Sequence, residues 1–166
     1  MEQYINRLPL AEVTANTKNP RTISEARLQK LIDSLLVFPR MLYIRPVIID
    51  GEGVVLGGNM RLEALHRIAR MTMDDVTVRL EGRREYEAMS EAVREKLLSL
   101  WASFLGSPTV PCVRADDLTA DEREQFIIKD NVSFGDWDWS ELETWDADKL
   151  TDWGVDMMLP DRKSVV

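Results

Sequence analysis

The stretch from Val47 to Leu65, VIIDGEGVVLGGNMRLEAL, constrains this chain most. An apolar run meets a turn of Asp50, Gly51, Glu52 and Gly53, which is a hairpin signal. A second apolar run ends in Gly57, Gly58, Asn59, Met60 and Arg61, and then Leu62, Leu65, Ile68 and Ala69 recur at helical spacing. Strand therefore passes to helix through two glycines, with an arginine in the first turn. A helix start carries unpaired N–H groups and a partial positive charge. Glycines let a ligand approach its backbone, and an arginine offers a fork for phosphate oxygens. The pattern is thus a candidate anion or nucleotide-phosphate site. The alternative is a tight strand-to-helix connection with Arg61 in solvent. Neither a Walker lysine nor the six-residue dinucleotide pattern is present.

Around this stretch the chain reads as alternating elements. QYINRLPLAEVT begins as an edge strand. Asn19-Pro20 forms a turn, and Ser24 caps a helix whose apolar face is Leu28, Leu31, Ile32, Leu35 and Leu36. Pro39 stops that helix. MTMDDVTVRLEG is ambiguous. Tyr86, Met89, Val93, Leu97, Leu100, Trp101 and Phe104 then step by three or four, predicting one long helix that Gly106-Ser107-Pro108 ends. TVPCVRA predicts a buried strand, and Thr119 to Glu122 has the capping-box form of a helix start. The segment after Asn131 holds four of the five tryptophans among many acids. There Asp138 and Asp146 are candidate N-caps, and Gly154 ends the second short helix.

Composition narrows the function. A length of 166 residues suits one domain with or without an appendage. No apolar run nears the roughly 18 residues of a membrane span, and the N-terminus lacks a signal-peptide pattern. The expected setting is cytoplasmic, with no membrane partner. One cysteine, Cys112, and one histidine, His66, exclude an internal disulfide and cysteine- or histidine-rich metal sites. A net charge of −8 argues against a whole-molecule grip on nucleic acid. Arg21, Arg40, Arg45, Arg61, Arg67 and Arg70 leave room for a local basic patch. Acidic neighbours of Trp137, Trp139, Trp145 and Trp153 disfavour base stacking. Those tryptophans are expected to pack a C-terminal lid.

NPR, an amphipathic helix ending near FP, RPVIID, VVLGGNMRLEAL and VPCVRADDLTADEREQFIIKDN follow in an order that resembles the ParB/sulfiredoxin superfamily. The closer likeness is to ParB N-terminal-like domains found as small proteins of phages and mobile elements, or fused to DNA methyltransferases. DNVSFGDWDWSELETWD is similar to the end of that subgroup. The resemblance spans about Leu8 to Asp156, interrupted at 71–107. It implies an α/β (α+β) fold: a small mixed sheet surrounded by helices, with an inserted long helix and a tryptophan-rich lid. Residues 1–158 would form one domain and 159–166 a flexible tail.

The resemblance also implies a function. Relatives bind CTP or ATP, with Mg²⁺, at the glycine-arginine turn, so Gly57, Gly58, Asn59 and Arg61 become phosphate-side contacts. Arg21 matches an arginine at the site's edge, and Asn131 the asparagine of an acid-asparagine pair, with Asp130 at the acid. Asn59 and Met60 depart from both the Gly-Glu-Arg-Arg of partition ParB and the Gly-Gly-Cys-His-Arg of sulfiredoxin. Asparagine cannot supply a thiolate, so an enzymatic role would be nucleotide hydrolysis or nucleotide-dependent transfer rather than sulfinic-acid repair. No catalytic residue is assigned. The implied role is in a DNA-related process, with DNA reached through a partner protein. The alternative is an adaptor that kept the fold and lost the nucleotide. The apolar stripe of 71–107 could cover the core or join two copies. Cys112 reads as a packed core thiol, His66 as a helix surface or packing residue, and Glu63 as a weak Mg²⁺ candidate.

Overall fold

The computed structural model describes residues 4–19, 21–132 and 135–156. They form two compact units, divided after Val132. The fold is mixed α/β, as the sequence implies.

In the larger unit, β1 (Ile5–Pro9) is followed by a single 3₁₀ turn, then α1 (Glu25–Val37) and the one-turn α2 (Met41–Ile44). The hairpin follows as β2 (Val47–Ile49) and β3 (Val55–Gly57), leading into α3 (Asn59–Ala69). Asp50 holds the turn between the strands. Its Oδ1 accepts the Glu52 and Val54 N–H groups at 2.8 and 3.0 Å. After α4 (Met73–Glu81), α5 (Arg84–Glu87) and α6 (Glu91–Gly106) come β4 (Thr109–Arg114) and α7 (Ala120–Asn131).

The sheet order is β1-β4-β2-β3. β1 pairs antiparallel with β4, β4 runs parallel to β2, and β2 pairs antiparallel with β3. The edge strand and the hairpin are where the sequence puts them. A parallel β2–β4 pair needs a long crossover, and α3 to α6 form it. One core joins Val47, Ile49, Val55, Val110 and Cys112 of the sheet to apolar faces of α1, α3, α4 and α6.

Segment 71–107 differs from the expected single helix. Thr72 caps α4 through a reciprocal capping box with Asp75, so the ambiguous stretch is helical. The long stripe is broken after α5, where Ser90 accepts the Val93 N–H and starts α6. The three helices belong to the main core: Val76, Leu80, Tyr86, Leu97 and Trp101 are buried in it. The indole Nε1 of Trp101 donates to the Leu36 carbonyl at 2.8 Å, tying α6 to the last turn of α1. Val93 and Leu100, expected within the buried stripe, are exposed.

The smaller unit contains α8 (Trp139–Leu142) and α9 (Ala147–Asp152), capped by Asp138 and Asp146. Gly154 and Val155 donate back to the Thr151 and Leu150 carbonyls, closing α9 as a Schellman turn. Among the described residues of this unit Leu142 and Leu150 are the buried apolar ones, while Trp137, Trp145 and Trp153 are more than half exposed. The tail 159–166 lies outside the described residues.

Candidate functional site

The site begins with the start of α3. Gly58 is its N-cap, with φ at +103°, a left-handed conformation that favours glycine. A Cβ there would lie 2.8 Å from Arg61 Nη2 and 3.1 Å from Val47 Cγ2. Gly57 is glycine for a different reason. Helix α7 lies against β3, and a Cβ on Gly57 would come within 2.9 Å of Asp130 Oδ2 and 3.2 Å of Phe126 Cε1. The two glycines therefore serve backbone handedness and helix packing, as well as opening the helix start.

This helix start differs from the other long ones. α1, α4, α6 and α7 are each capped by a Ser or Thr side chain and carry an acid in the first turn. α3 has neither, and its third residue is Arg61. The positive end of its dipole therefore lacks the anionic complement that such ends favour.

A small polar cleft of about 60 Å³ opens at this point. All six residues proposed from the sequence line it: Arg21, Gly57, Gly58, Asn59, Arg61 and Asn131. Arg45 and Asp130 line it too. Arg45 is the C-cap residue of α2 and was noted in the sequence only as one of several scattered arginines. Nothing local in the sequence marks it as a partner of Arg61.

Arg61 is half-buried. Its Nη2 donates to the Pro46 carbonyl at 3.3 Å. Its Nε is buried with no hydrogen-bond partner among the described residues. Burial pushes its pKa down, the Arg45 charge adds to that, and Asp130 opposes it. Two like charges thus press together with one carboxylate against them, an arrangement that an added anion would relieve.

The remaining side chains are more occupied. Asn59 Oδ1 accepts the Asn16 N–H at 2.9 Å, anchoring the preceding loop. Asn131 ends α7, and its Nδ2 donates to the Ile127 carbonyl. Arg67 is removed from any basic patch, because it pairs with Glu25 at 2.8 Å and with Glu63 at 3.3 Å. Glu63 is accordingly an ion-pair partner on the helix surface.

No cysteine or histidine lines the cleft. Among the described residues no group of three or more His, Cys, Asp or Glu could hold a metal ion. A Mg²⁺ ion here would need oxygens from a ligand as well as Asp130. Cys112 sits fully buried in β4, away from the cleft lining. Among the described residues no helix is long and apolar enough to cross a membrane. In comparisons with known proteins the chain matches no family model and no curated protein.

Proposed function

We propose that the cleft at the start of α3 binds the phosphates of a nucleoside triphosphate, CTP or ATP with Mg²⁺. In this reading the chain is a ParB-like nucleotide-binding domain serving partition, modification or regulation of DNA in a phage or mobile element. The observation that carries it is the convergence of Arg21, Arg45 and Arg61 on an uncapped helix start, with the buried Nε of Arg61 unpartnered. Guanidinium groups and free helix N–H groups together are the chemistry that phosphate oxygens need. The class of process rests on the order of motifs in the sequence.

One observation favours a second reading, an adaptor that kept the fold without the nucleotide. The cleft holds about 60 Å³, well below the roughly 300–1,000 Å³ of small-ligand pockets. That suits an anion of about the size of a phosphate group better than an enclosed nucleotide.

Calorimetric titration with CTP, ATP, GTP and UTP, each with Mg²⁺, decides between them. Binding to wild type should weaken about tenfold to a hundredfold in Arg61→Ala, the loss of a charge-assisted contact of about 1.5–3 kcal/mol. Arg45→Ala, at an exposed position, should weaken binding without unfolding the chain. A wild type that binds none of the four at millimolar concentration makes the adaptor reading the correct one.

A further inference from the structure

A second cavity, of about 340 Å³, shares no lining residue with the glycine cleft. It forms where β1, the first half of β4, α2 and the C-terminal half of α6 meet. Its size lies in the range of small-ligand pockets.

The lining has two parts. One is aromatic: Trp101, Phe104 and Tyr43. Trp101 is 1% exposed and its N–H is committed to Leu36, so it backs the cavity from the core and offers a ligand almost no surface. Phe104 stands edge-on to it, with centroids 5.3 Å apart and planes at 82°. Trp101 thus holds the half-buried Phe104 ring in place as an apolar face of the cavity. Tyr43 and Leu100 also line the cavity and are 41% and 42% exposed. Leu100 thus leaves the buried stripe of its helix at this cavity. The other part is cationic. Arg7, on the edge strand, reaches the cavity beside Thr109, whose Oγ1 accepts one N–H at 3.3 Å. A guanidinium has five donors, so this bond leaves others to hold a carboxylate in a fork.

We propose that this cavity is a binding site for a small planar aromatic acid, its ring against Phe104 and Tyr43 and its carboxylate on Arg7. Flat rings stack or meet edge-to-face with such a surface. The single charged side chain in the lining selects an acid over a neutral ring.

The test is titration of the full chain with benzoate, indole-3-acetate and neutral indole, followed by amide and indole N–H resonances. The acids should shift the amides of Tyr43 and of Leu100 to Phe104. Arg7→Gln should weaken the acids about tenfold while leaving indole unchanged. Leu100→Trp, an enlargement at an exposed position, should fill the cavity and abolish both kinds of binding with the fold retained. The proposal is overturned if no probe shifts these resonances at about 10 mM, an affinity too weak for a site. It is equally overturned if the shifts fall only on Arg21 and Gly58, or if folded Arg7→Gln and Leu100→Trp bind the acids as wild type does.

Discussion

The carboxylate of Asp130 occupies the space that a side chain on Gly57 would need, with Oδ2 only 2.9 Å from that Cβ position. That obstacle is the end of an exposed, flexible side chain and can move aside, but the Phe126 ring at 3.2 Å must also give by a few tenths of an ångström. Gly57→Ala should therefore cost about 1 kcal/mol in urea unfolding, at the mild end of overpacking. Its larger effect falls on charge. Asp130 is the carboxylate whose charge acts on Arg61 in the cleft, so Asp130→Asn should tighten binding of an anion such as pyrophosphate. Weaker binding in Asp130→Asn would show that the carboxylate organises the site rather than repelling its ligand.

Gly58 is less forgiving. Its φ of +103° strains any L side chain, and Val47 and Arg61 crowd the same space. Gly58→Ala should cost about 1–3 kcal/mol of stability, the usual range for a residue held in a left-handed conformation. Gly58→Val adds a β-branched side chain to the same strain, so it does not separate loss of a ligand from loss of the fold. Chemical denaturation of Gly58→Ala measures the strain directly, and an unchanged midpoint would mean that the backbone relaxes.

Trp101 joins two helices by packing and by one hydrogen bond. Trp101→Ala should cost about 3–5 kcal/mol, and Leu97→Ala about 2–5 kcal/mol. Trp101→Phe keeps most of the ring but orphans the Leu36 carbonyl, at a cost of about 1–3 kcal/mol. Sedimentation should show no change in mass in any folded variant, because these side chains are buried within their own chain. A change in mass would place part of the stripe at a contact between copies.

These cases mark where sequence is legible and where it is not. Ser24, Thr119, Asp138 and Asp146 announce helix starts because capping is local chemistry, and the structure has each cap in place. Thr72 escapes notice because its partner is Asp75, not the usual Glu or Gln, and because Val76, Thr77 and Val78 suit strands as well as helices. The break at Ser90 is hidden because the three-four spacing of apolar residues runs on across it. In the site, the turn at Gly57 to Arg61 is local and visible. The contribution of Arg45 is not, because only the fold brings the end of α2 to the start of α3. The reason for Gly57 is also remote, since Asp130 comes from α7.

Cys112 gives a prediction with a definite sign. It is fully buried, and its Sγ donates to the Val110 carbonyl at 3.5 Å. Burial pushes the thiol from its ordinary 9.0 up to about 11, partly offset by the Arg114 charge. The folded pKa is raised, so the neutral thiol is favoured by folding. Its contribution to stability is complete below about pH 9, where folded and unfolded thiols are both protonated, and is lost as pH rises toward 11. Comparing urea unfolding of wild type and Cys112→Ala across this window cancels the titration of other groups, and the wild-type advantage should shrink from pH 9 to 11. Cys112→Ser should cost about 1–3 kcal/mol by burying a hydroxyl, while leaving anion binding at Arg61 unchanged. A thiol reagent at pH 8 should label the native protein only as fast as it opens. Rapid labelling of the folded chain would show that the thiol is accessible and that its role is chemical rather than structural.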